Sequence, residues 1–144
     1  MIQRIQTVYL LVAALLSLVL PFILPLWPDG EGNLVSSGRI AKTGDTGFTF
    51  YASLLLVSGI LSLLTVLSFK KRKTQLRINT FNIVVNLIIL GLLIYHLLTL
   101  PGGTLVSEKG IGLLLPLVVI VLLAIAGRAI KKDENLVKSV DRLR

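Results

Sequence analysis

The 144-residue chain is 54% hydrophobic and 15% charged, with a net charge of +8 and no Cys. Soluble domains carry about 25% charged residues, so a mean hydropathy of +0.88 excludes an ordinary water-soluble globule. The missing thiols exclude disulfides, thiolate catalysis, Cys-ligated metal and Cys lipidation.

The charges are clustered, and the charge-free intervals run 5–28, 46–69, 78–107 and 110–127. A membrane-spanning helix needs roughly 20 apolar residues, so each interval holds one span and none holds two. The sequence therefore predicts an all-α membrane protein, a four-transmembrane-helix bundle forming one domain over 1–144. The spans are expected at 7–27, 48–69, 79–100 and 110–130, with a tail at 131–144.

The first span follows a short lead containing Arg4. It is read as an uncleaved span and not a signal peptide, because it ends in Pro25-Leu26-Trp27-Pro28 where a cleavage site needs small residues. Pro21 and Pro25 remove helix donors, so a kink or early unwinding is expected there. The following loop, 29–47, holds five of the twelve glycines. Its 34–41 segment admits two readings, a small β-hairpin and an irregular exposed loop.

In the second span, Ser58, Ser62 and Thr65 share one helix face. Small hydroxyl residues on one face suit close helix packing. Next comes Lys70-Lys71-Arg72-Lys73-Thr74-Gln75-Leu76-Arg77, a basic turn between two apolar runs. Short loops rich in Lys and Arg stay on the cytoplasmic side. With this turn inside, 12 of the 15 basic residues fall on the cytoplasmic side and only Arg39, Lys42 and Lys109 fall outside. Both termini are then cytoplasmic, and the positive balance reflects topology and anionic lipid headgroups, with no call on nucleic acid. Lys70, Lys71, Arg72, Lys73, Arg77, Arg128, Lys131 and Lys132 are the expected lipid-contacting residues.

Asn79, Asn82 and Asn86 form a second polar stripe, on the third span. Asn79 and Asn82 lie in the expected first turn, where they can cap the helix or meet headgroups; Asn86 lies deeper, and its amide must find a partner because lipid offers none. The Ser58/Ser62/Thr65 face is the expected partner, with Thr65 placed level with Asn86. His96 is the only histidine, near the outer end of this span, and no acid in the span accompanies it as a metal ligand. The fourth span carries Pro116, expected near its first turns, and a close-packing Ala124, Ala126 and Gly127. In the tail, Leu136, Val137, Val140 and Leu143 fall on one side of a helix, which predicts a C-terminal amphipathic helix.

No Asp, Glu, Lys or Arg lies in the interior of a span, where proton-coupled pumps and voltage sensors place theirs; Arg128 sits at the inner end of the fourth. No phosphate loop, nucleophile elbow or paired His ligands are present. The reading is a non-enzyme with no catalytic residue, cofactor or metal. The start, Met-Ile-Gln-Arg-Ile-Gln-Thr-Val-Tyr-Leu-Leu, and the end, Arg-Ala-Ile-Lys-Lys-Asp-Glu-Asn-Leu-Val-Lys-Ser-Val-Asp-Arg-Leu-Arg, resemble a domain-of-unknown-function family numbered 4293. These are small four-span membrane proteins of Bacteroidota. The resemblance implies a multi-pass protein of the bacterial inner membrane and carries no catalytic residues with it. Two functions follow as expectations. One is a structural or accessory component that binds a protein partner, lipid or a second copy. The other is a small-molecule or lipid carrier using the Asn and Ser/Thr stripes.

Overall fold

A computed structural model describes residues 5–23, 27–28, 34–35, 46–99 and 106–142. Its elements are α1 (Ile5–Leu18), α2 (Leu20–Ile23), β1 (Trp27–Pro28), β2 (Leu34–Val35), α3 (Thr46–Leu67), a 3-10 turn (Ser68–Lys70), α4 (Arg72–Thr99) and α5 (Val106–Arg142). Four helical segments are long and apolar enough to cross a membrane, the first being α1 with α2. Each packs on its neighbours in a closed ring, α1 on α3, α3 on α4, α4 on α5 and α5 back on α1. The short connections from α3 to α4 and from α4 to α5 favour antiparallel pairing there.

The bundle buries polar side chains alongside an apolar core and is apolar outside. Val8, Leu15, Ile60, Leu64, Leu87, Ile88, Leu117 and Val121 all face outward, while Gln6, Ser58, Ser62, Asn82 and Asn86 are buried. A water-soluble protein inverts that distribution. Where lipid is the solvent, apolar side chains gain nothing by turning inward, and polar groups must find partners within the protein.

Local chemistry sets the helix ends. The first helix breaks at Val19, two residues before Pro21, and resumes for one turn as α2. Pro21 has no N–H for the carbonyl of Ser17, and its ring crowds that carbonyl. The kink expected from the sequence is present here, while Pro25 lies outside the described residues. Beyond it, β1 and β2 form a two-residue antiparallel pair, Trp27 opposite Val35 and Pro28 opposite Leu34. The hairpin considered for 34–41 is a different pairing, and most of it falls outside the described residues.

Two helices outrun their apolar stretches. The chain reverses within the 3-10 turn and Lys71, so the basic residues from Arg72 to Arg77 are helical and not part of a loop. The 28 residues of α4 span about 42 Å at 1.5 Å each, against roughly 30 Å of hydrocarbon. The 37 residues of α5 span about 55 Å and run on through the charged tail without a break. Because α5 begins at Val106, Pro116 lies in the helix interior and not in its first turns. There it costs a backbone hydrogen bond as well as a clash with the carbonyl four residues back.

Candidate functional site

The inward face of α4 reads Gln75, Asn79, Asn82, Asn86, Ile89 and Leu93, all buried. Spacings of three and four residues keep these side chains on one face. Asn82 Nδ2 donates to the Ser58 carbonyl at 3.0 Å and to Ser62 Oγ at 2.8 Å. Asn86 Nδ2 donates to Ser58 Oγ at 2.7 Å and, back along its own helix, to the Asn82 carbonyl at 2.9 Å. Ser62 Oγ in turn donates to the Ser58 carbonyl at 3.1 Å. The structure thus brings four of the six stripe residues into one buried network across the α3–α4 seam.

The other two lie elsewhere. Asn79 turns to the opposite neighbour, its Nδ2 donating to the Leu123 carbonyl of α5 at 2.9 Å. Thr65 bonds only back along its own helix, Oγ1 to the Leu61 carbonyl at 2.7 Å. The expected pairing of Thr65 with Asn86 is therefore corrected to Ser58 with Asn86. The chain turns at Lys71, so an antiparallel helix pair sets Ser58, and not Thr65, level with Asn86. Depth counted from the edges of the apolar stretches ignored the two helical turns of α4 that precede Asn79.

Glycines allow two seams to close, α4 on α5 and α1 on α3. A Cβ on Gly127 would stand 2.8 Å from Asn79 Nδ2, so the bare backbone of α5 makes room for that amide. A Cβ on Gly59 would strike the Leu18 side chain, where α1 crosses α3. Three buried polar residues, Gln6, Ser17 and Gln75, escape a reading based on stripes alone. Gln75 extends the Asn column by one turn, and Gln6 opens the inward face of α1 ahead of Leu10. Their i, i+4 spacing to Asn79 and Leu10 was the available signal. Gln6 falls ahead of the predicted first span, and Gln75 falls within the basic turn. Gln6 Oε1, Gln75 Oε1, Asn79 Oδ1, Asn86 Oδ1 and Ser17 Oγ are buried without a hydrogen-bond partner.

The end of the bundle near the turn is basic. Arg72 crosses from α4 to donate to the Asp133 carbonyl of α5 at 2.7 Å. Lys138 pairs with Glu134 at 2.8 Å, one helical turn apart. That hydrogen bond, followed by the charges of Lys73 and Arg72, holds the Glu134 carboxyl below its usual range; Glu134 lies past the apolar stretch. Lys71, Arg72 and Lys73 stand on one side of α5, and Arg128, Lys131 and Lys132 gather on another. Arg77 is exposed on α4, and the Lys70 and His96 side chains are outside the described residues. Among the described residues, no three His, Cys, Asp or Glu side chains group as metal ligands.

No curated protein and no solved structure matches this chain. The family model for a domain of unknown function, DUF4293, matches residues 2–143, nearly the whole length. A four-span helical bundle with this coverage belongs to that family, the domain of unknown function DUF4293.

Proposed function

We propose that this protein is a structural or accessory component of the bacterial inner membrane, with both termini cytoplasmic, and that it docks a protein partner or lipid at its basic end. It acts as a non-enzyme. One observation carries the reading: the amide and hydroxyl columns bond to one another at full burial. Groups engaged in that way lock a bundle and are poorly placed to line a path. The outward chemistry is then left to the basic residues on α4 and α5, which suit anionic headgroups on the cytoplasmic face.

Purification from native membrane in mild detergent, followed by mass spectrometry, tests the docking reading. A specific lipid or protein companion supports it, and recovery of bare monomer alone overturns it. Orientation is tested separately. The chain has no Cys, so Thr74→Cys supplies a single label site; a membrane-impermeant maleimide should reach it only after cells are broken.

The carrier reading draws on the unpartnered oxygens of Gln6, Gln75, Asn79 and Asn86. It requires that Asn86→Leu leave the bundle folded while removing flux of small polar solutes into proteoliposomes. A variant that only loosens the bundle favours docking.

A further inference from the structure

We propose that the cleft between the start of α4 and the extension of α5 holds the phosphate of one anionic phospholipid headgroup. This deepens the docking reading and rests on it. The cleft has a volume of about 510 Å³, within the roughly 300–1,000 Å³ of small-ligand sites. Lys71, Arg72 and Lys73 form one wall, and Lys138 and Glu134 form the other. Among the described residues, four cations against one carboxylate leave a net charge of +3, which fits a phosphate and repels the ammonium of a zwitterionic headgroup.

Three further features favour lipid as the source of that phosphate. The hydrogen bond from Arg72 to the Asp133 carbonyl ties the walls together, so the cleft is built by two elements and not by mobile side chains alone. Its position is at headgroup level, because Ile78 opens the apolar stretch of α4 and Ile130 closes that of α5. Val137 lines the same cleft and is 45% exposed, which offers an apolar contact that a free phosphate would not use. Glu134 is the resident anion here. It holds Lys138 at 2.8 Å and competes with an incoming phosphate for the same cations.

A second basic surface serves as the control. Arg128, Lys131 and Lys132 border a space of about 520 Å³ whose described lining residues all come from α5. Neutralising one lysine in either place changes the net charge equally.

The test is native mass spectrometry of the full chain released from nanodiscs of mixed phosphatidylglycerol and phosphatidylethanolamine, reading the fraction that keeps one phosphatidylglycerol. Lys73→Gln should lower that fraction roughly fivefold, the effect of one cation at a membrane surface. Lys131→Gln, on a surface that meets headgroups without a facing wall among the described residues, should lower it by no more than about twofold, and Glu134→Gln should raise it by freeing Lys138. Equal losses in Lys73→Gln and Lys131→Gln would reduce the cleft to diffuse attraction, and the proposal falls. It falls as well if excess inorganic phosphate displaces the lipid, or if Glu134→Gln lowers retention. In each of those cases a protein or lipid companion still found on the wild-type chain leaves the docking reading standing. A wild-type chain that keeps neither overturns both.

Discussion

Along the inward face of α4, Gln75, Asn79, Asn82 and Asn86 occupy the half nearest the basic turn, and Ile89 and Leu93 occupy the half beyond it. The neighbours match. Ser58 and Ser62 of α3 face the amides, while Tyr51 and Leu55 belong to the apolar core with Ile89, Leu115 and Val119. The two halves hold by different means. In lipid an aliphatic contact gains only packing, because the surrounding chains are equally apolar. Such a contact tolerates sliding by a residue or two. A buried amide tolerates none, because a displaced donor finds no water. The polar half therefore sets register, and the apolar half fills volume.

The largest test of that division uses two glycines. Gly127→Leu would drive a side chain into the Asn79 amide, breaking its bond to Leu123 and overfilling the α4–α5 seam. Overpacking and the lost bond together should cost about 2–3 kcal/mol, read from unfolding in bicelles. Gly91 belongs to the other half of α4, and a Cβ there meets nothing within 4 Å. Gly91→Leu should leave the midpoint within about 0.5 kcal/mol of wild type. Equal losses would erase the contrast.

Asn82→Leu comes next. It removes two donations to α3 and leaves the Ser58 carbonyl and Ser62 hydroxyl one partner poorer. A loss of about 1–2 kcal/mol is expected, at the upper end for membrane hydrogen bonds. Ile89→Val in the apolar half should cost about 0.5–1 kcal/mol. The sharper readout is register. Disulfide scanning with cysteine pairs across α3 and α4 should show alternative pairings in Asn82→Leu and the native ones alone in Ile89→Val.

Much of this was legible before the structure. Charge clustering located the apolar stretches, and the spacing of Ser58, Ser62, Asn82 and Asn86 identified faces that meet. Register was not legible from hydropathy, because Lys and Arg mark where lipid ends and not where a helix ends. Arg72, Lys73 and Arg77 are helical beyond the apolar stretch, and a depth counted from Asn79 leaves that length out. Asn79 and Asn82, expected in a first turn, lie inside α4 and are buried, and the Asn79 amide faces α5; nothing in its spacing distinguishes one neighbour from another. Gly127 held the missing clue, as a bare position where Asn79 needs room.

A double-mutant cycle divides the polar half itself. Ser58→Ala with Asn86→Leu should show coupling of about 0.6 kcal/mol, the average for such bonds in a membrane protein. Thr65→Val with Asn86→Leu should show coupling within about 0.3 kcal/mol of zero, because residues without a shared partner act independently.

The smallest expected effect is the most informative about the core. Thr65 is fully buried in the polar half, yet its hydroxyl donates only to the Leu61 carbonyl of its own helix. That carbonyl already accepts a backbone bond in a regular helix, so the hydroxyl adds little. Thr65→Val keeps the shape and removes one donor, and the unfolding midpoint should stay within about 0.5 kcal/mol of wild type. A loss above about 1 kcal/mol would mean that the hydroxyl serves a second group in the folded bundle. The candidates on the inward faces are polar, Gln6 and Gln75 among them, both with an unpartnered oxygen. A large Thr65 effect would therefore turn the polar half from a dry lock into a wet interior and move the balance toward the carrier reading.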